Sequence, residues 1–308
     1  DYSRTSMRLW HWYVNTPLDP SLFHYVYYPA TFLLPLPFAA LSVALHLPFD
    51  VRLVWLGAIG VAGWALWAMP WRWEWRYVAL CALFLDPLFY FPQGRNDILW
   101  LAGITLGLLA FSRGRLRLAA LAFGAALAFK PFAVFFAILI AVAIVRRCGG
   151  WRPLRTAGIL AGLAVPAALT IGPFFLWNPA AFWADTVAFV AGTDPHSYPM
   201  GGVGLAGLLL ALHVIPSPTA QIPLSLLQAG LTLPALGLAG RQVWRRPSPA
   251  AVVVGGTVVL ALFLLCARFV NDNYLASLVY LAVLAGAAGR GHVAANPAQT
   301  PAVTPQAA

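Results

Sequence analysis

The chain has 308 residues, of which 61% are hydrophobic and 9% charged, and its formal net charge is +10. Soluble domains carry about 25% charged residues, so this composition, with a mean hydropathy of +0.78, excludes an ordinary soluble globular protein and predicts an all-α, polytopic transmembrane helical protein. The excess positive charge does not point to nucleic acid, because the arginines gather in short loops between apolar runs, the pattern of cytoplasmic loops in membrane proteins.

In chain order, residues 1–28 are polar and aromatic, too mixed to span, and read as short interfacial helices. The apolar stretch 29–47 is broken by Pro29, Pro35 and Pro37. Further apolar runs follow at 52–69, 77–91, 98–112, 117–129, 131–145, 156–177, 202–216, 222–240, 249–267 and 274–289, giving about 9–11 membrane segments. Residues 1–290 form a single membrane-embedded domain in this reading. Residues 291–308, rich in Ala, Pro, Gln and Thr, read as a disordered cytoplasmic tail.

The basic loops are WRWEWR (71–76), SRGRLR (112–117), RRCGGWRPLR (146–155), RQVWRR (241–246) and Arg290. They all reach one side only if two runs fail to cross. The best choices are 29–47, for its prolines, and 202–216, which is short and opens on Gly201-Gly202. The opposite, outer face then collects Asp1, Asp19, Arg95, Asp97, Asp185, His196, Arg268 and Asp272, and a site half in the membrane is expected there.

The centre of the argument is 91–131, a hairpin of two apolar helices around the SRGRLR turn. Arg117 and Lys130 are 13 residues apart, about 20 Å of helix against a hydrocarbon core of about 30 Å. Lys130 therefore stops inside the far leaflet, where a charge implies either an ion pair, with Asp86 the partner at matching depth, or a binding pocket. Cys81, Cys148 and Cys266 have no paired spacing and indicate neither disulfides nor a metal site. No nucleotide-phosphate loop or zinc spacing is present. Carboxylates beside cations within reach of lipid suit a hydroxyl nucleophile attacking a lipid-phosphate-linked substrate.

The stretch from Gln93 to Leu139, with its Gln-Gly-Arg-Asn cluster, its Arg-Gly-Arg turn (113–115), its small-residue helix and its Lys130-Pro131 end, resembles the polyprenol-phosphate-mannose-dependent α-mannosyltransferases of the GT-C membrane glycosyltransferases. VYYPATFLLPLPFAAL (26–41) is similar to the Tyr-Pro-Pro segment of that family, and the likeness covers about residues 1–180. The order Gln93-Gly94-Arg95-Asn96 departs from the family's Gly-Gln-x-Asn, and Ala30 stands where a second proline is usual.

The resemblance implies a GT-C-like fold whose first transmembrane helix lies upstream of Asp1. It implies a multi-pass protein of the plasma (inner) membrane with its active site on the extracytoplasmic side. Asp1 would be the general base for the acceptor hydroxyl. Gln93, Arg95, Asn96 and Lys130 would bind the donor phosphate, and Asp19, His196 and Asp272 are possible acceptor-binding residues. The implied reaction moves a sugar, mannose first, from a polyprenyl-phosphate donor to a lipid or glycan hydroxyl, with neither cofactor nor metal. A membrane transporter or lipid flippase, and a non-catalytic subunit derived from the enzyme, are the alternatives.

Overall fold

The computed structural model describes residues 26–85, 95–149, 153–193 and 197–290. After α1 (Ala30–Leu33) and α2 (Leu36–Ala44) come α3 (Arg52–Trp67), α4 (Trp73–Leu83), α5 (Asp97–Ser112), α6 (Leu116–Phe129), α7 (Val134–Cys148) and α8 (Pro153–Trp177). A short α9 (Pro179–Trp183) continues through a π turn (Ala184–Ala188) into α10 (Phe189–Ala191). The rest is α11 (Leu205–Ala211), α12 (Leu224–Arg245), α13 (Pro249–Leu265) and α14 (Asp272–Arg290). The all-α expectation is met apart from one parallel bridge, β1 (Gly201–Gly202) against β2 (Phe269–Val270).

The central element is α5. Its residues are apolar all round and almost wholly buried, as a helix surrounded by others must be. It packs on its hairpin partner α6 and on α3, with α13 and α14 closing the remaining sides. Across this core Thr105 Oγ1 lies 2.7 Å from the buried Tyr280 hydroxyl of α14 and donates to the Leu101 carbonyl. The hairpin turn depends on Gly114, whose φ of +72° is open to glycine at no steric cost.

The outer helices are different. Among its 25 residues α8 buries only Ile159, and α2 buries none, leaving Leu36, Phe38, Leu41, Val43, Leu169 and Leu176 exposed. Segments Pro131–Cys148 and Pro153–Trp177 are long and apolar enough to cross a membrane. With seven residues, about 10 Å, α11 is much shorter than the run 202–216 expected from sequence. Its start is fixed by the β-bridge, because a Cβ on Gly202 would lie 1.9 Å from the Val270 carbonyl oxygen.

Two basic loops expected from the sequence are helical instead. Trp73 to Arg76 form the first turn of α4, with Arg76 Nε donating to the Trp71 carbonyl at 2.9 Å. Residues 241–245 extend α12 through the first five residues of RQVWRR. Arg and Gln are good helix formers, and hydropathy alone started α4 too late and ended α12 too early. The helix α14 likewise starts at Asp272, two residues before its apolar run.

Close approach of α6 and α8 rests on Gly124, where an added Cβ would meet the Leu163 carbonyl oxygen at 2.3 Å. Backbone cannot step aside as a side chain can, so Gly124→Ala should destabilise the protein by about 1–3 kcal/mol. Gly158→Ala, in open space on the same α8, should stabilise it by about 0.5–1 kcal/mol. Thermal unfolding in detergent micelles reads both. Equal shifts of the two variants would rule out Gly124 as the contact that sets the α6–α8 spacing.

Candidate functional site

Asp97 opens α5 and Lys130 follows the last residue of α6, so the hairpin brings its two ends together. Lys130 leaves the helix in an extended conformation (φ −145°, ψ 130°), which turns its side chain inward before Pro131 starts the next turn. Its Nζ lies 2.6 Å from Asp97 Oδ1, with the two side chains 7% and 1% exposed. Among the described residues the ion-pair partner is thus Asp97; Asp86, the partner expected from sequence, lies outside them. Depth along the chain points to Asp86 alone. Asp97 wins because the hairpin aligns its end with Lys130.

Two further donors complete the carboxylate. Trp100 Nε1, one turn along α5, reaches Asp97 Oδ1 at 3.2 Å, and Asn273 Nδ2 donates to Oδ2. Lys130 lies among three rings, 5.1 Å from the centre of Tyr274, 5.7 Å from Tyr27 and 5.8 Å from Phe132. Such faces attract a cation where water cannot reach it.

From Asn273 the network runs outward. Its Oδ1 accepts from Arg95 Nη1, which also reaches Asp272 Oδ1 at 3.2 Å. Asp272 Oδ1 in turn accepts from the Asn273 backbone N–H at 3.0 Å. Arg95 is 31% exposed and Asp272 62%, so the chain of contacts passes from a dry ion pair to solvent within five side chains. Asn96 lies next to it, half-buried at the start of α5, without a side-chain cap bond.

The structure therefore brings Arg95, Asn96, Lys130 and Asp272 of the expected residues to one end of the hairpin. Asp1, Asp19, Gln93 and His196 lie outside the described residues. Asp97, Asn273 and Tyr274 were not among the expected site residues. The sequence signal for Asp97 was its place at the foot of the hairpin opposite Lys130. For Asn273 it was only the polar triplet Asn271-Asp272-Asn273, which also suits a helix start.

Beside this cluster is a groove of about 240 Å³. Its walls are aromatic, from Tyr27, Phe32, Phe174, Trp177 and Phe182, and its polar rim is Asn178, Asp185 and Thr186. Asn178 ends the long α8, and its Oδ1 accepts from the Ala181 N–H at 3.0 Å, which turns the chain so that Phe174 and Phe182 face one space. Asp185 stands in the π turn, an irregularity often found at functional sites. Tyr27 belongs to both the groove and the lysine's ring cluster, joining the two.

On the same side, Arg268 is 5% exposed. Its Nε donates to the Tyr198 carbonyl at 2.5 Å and its Nη1 to that of Ala220 at 3.1 Å. Burial lowers its pKa, but a guanidinium stays charged. It ties the loop 197–220 to the β-bridge.

A buried ion pair is stabilising only as a pair, since removing one partner strands the other. Lys130→Met should therefore cost about 3–5 kcal/mol, with Asp97→Leu costing a similar amount. The double variant should recover most of the loss. Unfolding of the three variants in micelles measures the coupling, and strictly additive losses would exclude the pair as a unit.

No family model matches this chain, and no curated protein or solved structure matches it, so its function is argued from the chemistry of the site.

Proposed function

We propose that the protein is a multi-pass membrane glycosyltransferase that moves a sugar, mannose first, from a polyprenyl-phosphate donor to a lipid or glycan hydroxyl at the extracytoplasmic face. The observation that carries this reading is the juxtaposition at one end of the hairpin. There a polar cluster with two cations and two carboxylates adjoins an aromatic groove with a polar rim. Aromatic faces suit isoprenoid units and the apolar faces of sugars. The polar rim supplies partners for hydroxyls, and Arg95 supplies the charge that a phosphate requires.

The membrane part of the proposal is supported by the exposed apolar faces of α2 and α8, which are larger than soluble monomers expose. It is also supported by the sorting of charge along α5. Asp97 begins that helix and Arg113 follows its end, so the Lys130 cluster and the arginine-rich turn lie at opposite ends of the bundle. By the distribution of arginine the turn is cytoplasmic.

In the reaction, a base removes the proton of the acceptor hydroxyl as its oxygen attacks the anomeric carbon, and polyprenyl phosphate leaves with the bonding electrons. Asp1 is the residue to which the family resemblance gives the role of base. Lys130, closed in its ion pair, holds the hairpin end in shape, and Arg95 is the cation nearest solvent to meet the leaving phosphate.

Two experiments test this. In proteoliposomes holding polyprenyl-phosphate mannose or glucose and a lipid acceptor, the protein should transfer sugar. Asp1→Asn should then lower turnover about 10²–10⁴-fold, whereas Asp19→Asn keeps most activity. Absence of transfer from every polyprenyl-phosphate sugar would refute the enzyme reading. For sidedness, with Cys81, Cys148 and Cys266 replaced, Thr193→Cys should react with an impermeant maleimide in intact cells, and Arg115→Cys only after permeabilisation. The reverse pattern would place the site on the cytoplasmic side.

A further inference from the structure

The arginines at the other end of the bundle divide into two groups. Arg113 Nη2 donates to the Ala68 carbonyl at 2.9 Å, and Arg147 donates to the carbonyls of Phe111 and Pro247 at 3.0–3.1 Å. These side chains close the ends of helices α3 and α5, whose last carbonyls lack partners of their own. Arg115, Arg117 and Arg155 do nothing of this kind. None of the ion pairs among the described residues includes them, and all three are exposed.

They line a recess of about 360 Å³ between the hairpin turn and the start of α8, with Leu116, Leu118 and the buried Ile159 as its apolar part. The turn at Gly114 places Arg115 just before α6 and Arg117 in its first turn, so the α6 N-terminal N–H groups add to the positive potential there. Three guanidiniums without carboxylates repel one another unless an anion joins them. The apolar side continues into Leu118, Leu121 and Leu154, all exposed, which on the membrane reading face acyl chains. A ligand that fits is anionic at one end and apolar at the other.

We propose that this recess binds the phosphate headgroup of an anionic phospholipid of the cytoplasmic leaflet, with its glycerol and acyl chains against Leu116, Leu118 and Leu154. The proposal rests on the membrane reading above but not on the transferase reading. Three arginines converging from two elements distinguish it from diffuse attraction. Arg241, Arg245 and Arg246 carry equal charge along the single helix end of α12 and are not among the residues that line this recess.

The test uses the full chain in detergent micelles, with dioctanoyl phosphatidylglycerol and dioctanoyl phosphatidylcholine as probes and the thermal-shift midpoint as apparent affinity. The anionic lipid should bind about tenfold more tightly or better, from a contribution of about fivefold per arginine at an anionic surface. The triple variant Arg115→Gln/Arg117→Gln/Arg155→Gln should lose that preference, while Arg241→Gln/Arg245→Gln/Arg246→Gln keeps it within about twofold. Equal losses in both triples would overturn the proposal in favour of diffuse charge. Protection by inorganic phosphate alone at the same concentration would overturn it in favour of a free-anion site. Should the recess triple fail to fold, the exposed single change Arg155→Gln must still weaken the anionic lipid about fivefold, and unchanged affinity would refute the site. Retention in carbonate-washed membranes is scored separately. A chain retained there but indifferent to lipid charge overturns the recess alone, and a chain released overturns the membrane reading with it.

Discussion

The buried contact between Lys130 and Asp97 is the constraint on which the polar end of the molecule depends. Removing two charges from water costs several kcal/mol per ion, and their attraction offsets this only with good geometry and further hydrogen bonds. Here both conditions are met. Asp97 receives Lys130, Trp100 and Asn273, while Lys130 has three aromatic faces around it. The groups involved come from four segments: the start of α5, the α6–α7 junction, the start of α14 and the residues before α1. The pair therefore joins chain segments that apolar packing alone would leave free to slide, because Leu and Ala surfaces have no strong preference for one register.

That interaction also sets the limits of what the sequence discloses. The depth of Lys130 follows from its spacing to Arg117, and the hairpin follows from two apolar runs about a glycine turn. Its partner does not follow, since spacing along the chain points to Asp86, whereas the pair that forms is with Asp97 at the foot of the hairpin. Asn273 stands 176 residues from Asp97 in the chain, and Asn271-Asp272-Asn273 reads locally as a helix start, which it also is. The aromatic groove was hidden for a different reason. Phe174 and Trp177 close the apolar run 156–177 and Phe182 lies beyond it, and only the turn at Asn178 brings residues from both sides of it to one space. The π turn that carries Asp185 leaves no mark in composition or periodicity. Errors of boundary, as in α4 and α12, came from treating arginine as loop although its backbone preference is helical.

The two ends of the bundle use charge in opposite ways. At the turn between α5 and α6, Arg113 and Arg147 serve carbonyl oxygens at helix ends, a role that long flexible side chains fill without any carboxylate. At the other end Lys130 and Arg95 each meet a carboxylate, Asp97 and Asp272, and both of these begin a helix, where the helix dipole favours negative charge. Asp97 and Asp272 are thus stabilised twice, by the helix they begin and by the cation they meet. The segregation is legible in sequence as arginine-rich loops on one side. The compensation on the other side is not, because it is made entirely by contacts distant in sequence.

This balance bears on how a transferase site would work here. The charges of Lys130, Asp97, Arg95 and Asp272 sum to zero, so this network by itself carries no excess charge. On the proposed reading a leaving phosphate would not find a free lysine waiting. It would have to compete for Arg95 with Asp272, and that competition is feasible because Asp272 is well exposed and water can take over its hydration. The deeper pair has no such freedom, with both partners dry. In a transferase, a graded network of this kind would keep the shape of the site fixed by its buried half, while the outer half exchanged one carboxylate for another anion. The same arrangement explains why Arg95 and Lys130, alike in sequence as cations at the hairpin's end, are suited to different work: one to meet a ligand, the other to hold the helices that present it.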